Sequence, residues 1–140
     1  MSLSRRQLMV AGGSALAFSA MAGTPLFASI LDEHISAFTG GADLASGSIM
    51  LDTPEIAENG NTVPIEVSAP GAASIMLLAA GNPVPAVATF NFGPLSGARS
   101  GSTRIRLAKS QDVIAIAKMD DGSYQMASAT VKVTIGGCGG

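Results

Sequence analysis

The cysteine of this chain lies in a run of glycines at the carboxyl end of the sequence. Cys138 is the single Cys among 140 residues, and its neighbours are Gly136, Gly137, Gly139 and Gly140. A lone thiol can form a disulfide with another protein, hold a covalent adduct, or lie inert in a core. Four glycines offer no side chains that could bury it. Two functional roles remain open: an intermolecular disulfide and a reactive attachment site.

The glycines predict a flexible arm over residues 136–140. Five extended residues span roughly 17 Å, and the lack of Cβ atoms gives the backbone a wide choice of conformations. The nearest basic residue in sequence is Lys132, whereas the carboxylate of Gly140 lies two residues beyond the thiol. A nearby anion does not help a thiol to ionise. We therefore expect the chemistry at Cys138 to come from the active site that the arm enters, which favours a carrier over an enzyme.

The amino-terminal residues predict an export signal. Arg5 and Arg6 directly precede a weakly apolar run, residues 8–22, which is the pattern of a twin-arginine signal peptide. A membrane span needs about 20 strongly apolar residues, and glycines and serines interrupt this run. The pattern therefore predicts a periplasmic protein with no stable membrane insertion.

The cleavage site of this signal has two candidates. Small residues allow cleavage after Ala22 or after Ala28, and the second is favoured because Ser29 then begins a helix. A signal peptide of residues 1–28 leaves six Lys and Arg against ten Asp and Glu. In an oxidising compartment, a structural disulfide within the chain would need a second cysteine.

The composition excludes several classes of function. Hydrophobic residues make up 47% and charged residues 13% of the chain, which indicates one folded domain. A net charge of −2 and the absence of Trp argue against a nucleic-acid partner. The single His, His34, has no second His or Cys with which to form a usual metal site, so no metal is expected.

The hydrophobic pattern predicts a short helix followed by strands. Leu31, Ile35 and Phe38 form one apolar stripe in a helix over residues 29–39, which Ser29 caps and Gly40-Gly41 ends. Alternating or continuous apolar runs then predict strands. These strand candidates are 47–52, 63–67, 74–80, 86–92, 103–107, 113–119 and 124–135.

The strand spacing predicts an all-β fold. The turn Asp120-Asp121-Gly122-Ser123 joins the last two strands as a hairpin, and Pro64 suggests an edge strand. About seven short strands favour an immunoglobulin-like antiparallel β-sandwich. The predicted sandwich domain covers residues 29–135.

Several segments of this sequence closely resemble the SoxY family of bacterial sulfur-oxidation proteins. The terminal Gly-Gly-Cys-Gly-Gly is the most distinctive of them, and the twin-arginine leader also fits. Further segments with this resemblance are 54–64, 81–83, 87–90, 103–109, 118–119 and 121–122. The resemblance implies an immunoglobulin-like sandwich that pairs with a second such subunit, SoxZ.

The resemblance also implies a function for the arm. Cys138 would carry sulfur intermediates of thiosulfate oxidation as covalent adducts, with no other cofactor. The haem enzyme SoxAX would join thiosulfate to the thiol, and SoxB would release sulfate by hydrolysis. A sulfane dehydrogenase, where present, would oxidise the remaining persulfide sulfur. The alternative is a secreted structural or binding module that uses Cys138 for an intermolecular disulfide.

Overall fold

The computed structural model of this chain describes residues 26–136 and begins with one helix. Helix α1 spans Leu26–Thr39, so Ser29 lies inside the helix and is not its cap, contrary to the prediction. No Gly or Pro separates Leu26 from Ser29, and nothing in the backbone chemistry forces the helix to begin later. Gly40 and Gly41 have φ angles of 66° and 83°, and they end the helix as predicted.

Within residues 26–136, nine strands follow the helix and form two sheets. The six-stranded sheet has the order β1-β9-β8-β5-β6, with β3 also paired to β9, and the three-stranded sheet has the order β2-β4-β7. The strands are β1 Leu44–Ala45, β2 Met50–Asp52, β3 Ile56–Asn59, β4 Val63–Ser68, β5 Ala72–Ala79, β6 Ala86–Asn91, β7 Ser100–Ile105, β8 Gln111–Met119 and β9 Tyr124–Ile135. The predicted sandwich of mostly antiparallel strands is confirmed.

Two short strands depart from the predicted antiparallel arrangement. β1 pairs in parallel with the beginning of β9, where Leu44 lies opposite Tyr124. β3 pairs in parallel with the end of β9, where Asn59 lies opposite Ile135. Between them, the chain leaves this edge and contributes β2 to the other sheet. Segments of two and four residues are too short to show a period, so the sequence does not distinguish them from loops.

The core lies between the two sheets and follows the alternation of the strands. In β4, Val63, Ile65 and Val67 are almost fully buried, as the period of two predicts. Pro64 was expected to mark an edge strand, but β4 is the central strand of its sheet. The neighbouring strand β2 pairs only with residues 66–68. Beside Pro64, one side of β4 therefore has no partner strand. On that side, no hydrogen bond is lost because proline has no N–H.

Helix α1 packs on the outer face of the six-stranded sheet. Leu31, Ile35 and Phe38 contact the cluster of Met76, Leu78 and Ile116, so the predicted apolar stripe is confirmed. The Phe38 and Tyr124 rings meet edge to face with 6.0 Å between their centroids. Across residues 26–136, no helix has both the length and the apolar content required to span a membrane.

The order of the strands brings four segments to one end of the sandwich. β9 ends there, and β8 begins there. The turn between β5 and β6 and the segment between β7 and β8 lie at the same end. We call it the arm end, because Gly136, the last described residue, lies there. The hairpin between β8 and β9 occupies the opposite end, which we call the hairpin end.

Candidate functional site

Gly136 is the first residue of the predicted arm and the last residue that the structure describes. Cys138, Gly137, Gly139 and Gly140 lie outside the described residues, as do Arg5 and Arg6 of the predicted signal. Their roles stay predictions. The part of the candidate site that the structure describes is therefore its base. We call this base the arm root and define it as residues 133–136 at the end of β9.

One side of the arm root is bonded to β3 and to the turn that follows it. The backbone N–H of Gly60 donates to the carbonyl oxygen of Ile135 at 2.7 Å, and the Gly60 carbonyl accepts from the N–H of Leu107 at 2.7 Å. Gly60 is buried, and its two bonds link the end of β9 to the segment that follows β7. The base of the arm is thus held to the turn after β3 and, through it, to this segment.

The other side of the arm root is bonded to the segment before β8. The Val133 N–H donates to Ser110 Oγ at 2.8 Å, and the Ser110 hydroxyl approaches the Val133 carbonyl oxygen at 3.4 Å. The ladder between β8 and β9 ends at the pair of Gln111 and Val131. Ser110 therefore extends the pairing by two residues with its side chain.

Gly136 passes close to the backbone of the segment between β7 and β8. A Cβ atom built at Gly136 would overlap the carbonyl oxygen of Ala108. Because the obstacle is backbone and not a flexible side chain, only glycine fits without a local shift. The first glycine of the arm therefore has a packing role as well as the predicted freedom.

A buried polar network holds the segment that Gly136 contacts. Asn82 Nδ2 donates to the Arg106 carbonyl at 2.7 Å, and Asn82 Oδ1 accepts from the Ala108 N–H at 3.0 Å. Gln111 Nε2 donates to Asn82 Oδ1 at 2.8 Å. Asn82 is 4% exposed and Gln111 8% exposed, so these bonds are shielded from competing water.

Gln111 connects the same network to the turn after β5. Its Oε1 accepts from the N–H of Gly81 at 2.7 Å, and its Nε2 also donates to the carbonyl of Lys109 at 3.0 Å. In the sequence, Gly81-Asn82-Pro83 lies between two predicted strands and does not indicate this role. Asn82 and Gln111 are 29 residues apart, so no local sequence pattern indicates that their side chains bond. The network is visible only in the folded structure.

The fold places basic residues near the arm root that are distant from it in the sequence. Lys132 is the nearest basic residue in sequence, but Gly136 contacts Ala108, which lies next to Lys109 and two residues after Arg106. Arg104, Arg106 and Lys109 are all exposed. Gly136 thus lies beside a positively charged segment.

Other chemically capable side chains do not assemble into a site. His34 is half-buried on α1, and residues 26–136 contain no group of three or more His, Cys, Asp or Glu that could hold a metal ion.

At the hairpin end, Asp121 Oδ1 accepts from the Ser123 hydroxyl at 2.5 Å and from the Ser123 N–H at 2.8 Å. The hydroxyl bond is the main cause that lowers the pKa of Asp121, and the backbone bond adds to it. Asp121 thus stabilises a turn.

The fold and the arm root together define a two-sheet β-sandwich domain whose last strand leads into the segment of sequence that contains Cys138. The family model described as sulfur oxidation protein SoxY matches residues 35–138. The solved structure of the sulfur carrier protein SoxY from Chlorobium limicola f thiosulfatophilum is 36% identical, with a TM-score of 0.67. The match covers 77% of this chain and 99% of that chain. This chain belongs to the SoxY family, as its sequence predicts.

A more distant likeness shows the fold alone. The superoxide reductase (neelaredoxin) of Ignicoccus hospitalis is 19% identical, with a TM-score of 0.55 over 63% of this chain and 81% of that one. A putative superoxide reductase from Thermotoga maritima has a TM-score of 0.51 at 16% identity and covers 69% of this chain and 89% of that one. No curated protein sequence matches this chain.

Proposed function

We propose that this protein is a sulfur carrier that holds thiosulfate-derived intermediates covalently on Cys138 during sulfur oxidation. The observation that supports this most directly is the match to the SoxY family, which runs through the sandwich and ends on Cys138 itself. The solved SoxY structure from Chlorobium limicola is described as a sulfur carrier protein. The chain acts as a substrate of partner enzymes and not as a catalyst.

The proposed cycle begins with an oxidation at the thiol. The Cys138 thiolate and thiosulfate form a sulfur–sulfur bond, and the two electrons released pass to a haem enzyme of the SoxAX type. The product is a cysteine S-thiosulfonate. A hydrolase of the SoxB type then adds water, breaks the bond to the terminal sulfonate, and releases sulfate. The remaining persulfide on Cys138 awaits a sulfane dehydrogenase.

The arm has a separate task in this proposal. Residues 136–140 present the adduct to successive active sites, while the hydrogen bonds at the arm root keep the base of the arm in one place. Glycines make the arm narrow, and ordering them in a cleft costs conformational entropy, which keeps each visit reversible. A SoxZ-like subunit completes the carrier, and the twin-arginine signal delivers the chain to the periplasm.

Mass spectrometry of the intact exported protein tests the proposal. Protein from cells grown on thiosulfate is expected to carry thiosulfonate and persulfide adducts that a reductant removes. The variant Cys138→Ser is expected to be exported and folded but to carry none. Recovery of only unmodified monomer and a Cys138-linked homodimer would show a disulfide module instead.

A further inference from the structure

The arm root is bonded to a chemically labile pair of residues. Asn59 ends β3, and Gly60 follows it directly. The nitrogen of the next residue can attack the side-chain amide carbon of Asn, and it does so most readily in Gly, which has no side chain to hinder the approach. The other asparagines of the chain precede Thr, Pro and Phe: Asn61, Asn82 and Asn91. Asn59-Gly60 is therefore the pair most prone to deamidation.

The side chain of Asn59 is held in a position that favours this attack. Its Oδ1 accepts from the backbone N–H of Asn61 at 3.0 Å, so the amide group is folded over the Gly60 peptide. A donor on this oxygen also stabilises the negative charge that the oxygen gains when a nucleophile adds to the carbon. Asn59 is exposed, so water has access to the product of the attack.

The arm root occupies the nitrogen that would attack. The Gly60 N–H donates to the carbonyl oxygen of Ile135 at 2.7 Å, and the Gly60 carbonyl accepts from the N–H of Leu107. The first bond retains the proton that must leave before the nitrogen can act as a nucleophile. The two bonds together hold the buried Gly60 peptide in one orientation. The reaction is therefore blocked while the arm root is closed.

We propose that Asn59 is a deamidation site whose reaction begins only when the arm root separates from Gly60. The freed Gly60 nitrogen loses its proton and bonds to Cγ of Asn59. The bond from Cγ to Nδ2 breaks, and ammonia leaves with the proton. Water then opens the cyclic succinimide to aspartate or isoaspartate. Water is the sole co-reactant, and the inference does not depend on the proposed function.

Either product changes the base of the arm. Aspartate places a negative charge at the position that pairs with Ile135. In isoaspartate, the backbone runs through the former side chain and gains one CH₂ group, which shifts Gly60 out of register with the end of β9. Because the loss of ammonia is irreversible, the modified fraction grows with the age of the protein. Asn59 thus records how often the arm root has opened.

Mass spectrometry of the ageing protein tests the block. The full chain, with any subunit that copurifies, is kept in mildly alkaline buffer with and without guanidinium chloride and is then digested. Conversion of Asn59 to the acid is expected to be at least about tenfold slower in the folded protein, because a strand end is open in only a small fraction of molecules. Equal rates in the two solutions would overturn the proposal.

The variant Ser110→Ala tests whether the arm root controls the reaction. It removes the bond between Ser110 Oγ and the Val133 N–H without altering Asn59 or Gly60. We expect deamidation of Asn59 to become about two- to tenfold faster, which is the range for one ordinary hydrogen bond. Hydrogen exchange at the Gly60 amide is expected to rise by the same factor. Faster deamidation with unchanged exchange at Gly60 would show that the arm root does not control the reaction.

A matched serine and a core amide serve as controls. Ser96 donates to the Ala98 carbonyl at 2.9 Å in the loop between β6 and β7 at the hairpin end, and Ser96→Ala is expected to leave both rates unchanged. The amide of Ile75, in the buried strand β5, reports global unfolding. Deamidation that rises only in proportion to exchange at Ile75 would mean that the whole domain must unfold, and the proposal would be wrong.

The variant Asn59→Asp separates the two products. It carries the new charge on an unaltered backbone, whereas the isoaspartate form, isolated from aged protein by ion exchange, carries the same charge and the extra CH₂ group. Amide exchange at Val133 and Ile135 is expected to be faster in the isoaspartate form than in Asn59→Asp. Equal exchange in both would overturn the proposed shift of register at the arm root.

Discussion

The two ends of the sandwich use amide side chains in different ways. At the arm end, Asn82 and Gln111 are buried and bond to backbone groups of two separate segments, the turn after β5 and the segment between β7 and β8. At the hairpin end, Gln125 accepts from the N–H of Ser48 at 3.0 Å in an exposed setting. A buried network fixes its backbone in one geometry, whereas an exposed bond exchanges readily with water. The end that carries the arm is therefore the more rigidly specified end.

Replacing one amide at each end tests this difference and gives the largest expected effect. Asn82→Ala leaves the Ala108 N–H and the Arg106 carbonyl without their partner, so we expect a loss of roughly 2–4 kcal/mol in the free energy of unfolding. Gln125→Ala is expected to lose less than about 1 kcal/mol. Urea denaturation of both variants measures the contrast. Equal losses would show that the arm end is no more firmly specified than the hairpin end.

Replacing one glycine at each end is expected to give an effect of intermediate size on stability and on the loading of Cys138. Gly136→Ala forces the chain away from the Ala108 carbonyl, which we expect to cost about 1–3 kcal/mol of stability and to slow loading of Cys138. Gly122→Ala, at φ 86°, is expected to cost about 1–2 kcal/mol with no change in loading. The measurements are thermal unfolding and the rate of adduct formation with partner enzymes. Normal loading of Gly136→Ala would remove any role of this contact in aiming the arm.

The smallest expected effect is a pH dependence of stability that arises at the hairpin end. The bonds from Ser123 lower the pKa of Asp121 below its ordinary value of 3.8. The carboxylate therefore adds stability that is fully present above about pH 4 and is lost as the pH falls through the folded-state pKa. We expect Asp121→Asn to unfold at a lower temperature than the unaltered protein at pH 7, and the gap to narrow as the pH approaches 2. A gap that stays constant would contradict the assignment.

The sequence predicts much of the fold because the long strands are alternating or continuous apolar runs bounded by turn residues. The predicted strand over residues 124–135 has the same bounds as β9, and the hairpin before it follows from its Asp and Gly residues. The division into six and three strands was not predictable, because β1 and β3 have two and four residues and pair in parallel with a strand far along the chain.

For the candidate site, the sequence predicts the reactive group but not the contacts around it. The lone Cys138 and its glycines stand out in the sequence, but the contact of Gly136 with Ala108 depends on two distant segments meeting. Arg104 and Arg106 alternate with apolar residues and therefore predict an exposed strand face. Their place beside the arm root follows from the course of the chain between β7 and β8.

Strand β9 gives the arm a mechanical anchor. Its twelve residues extend about 40 Å at roughly 3.3 Å each, from the hairpin end to Gly136. β8 bonds one edge, and β1 and β3 bond parts of the other. A force applied to the chain beyond Gly136 loads these hydrogen bonds along the strand, so that they resist together in shear and do not break one at a time. Such a force therefore does not unfold the sandwich from its carboxyl-terminal strand.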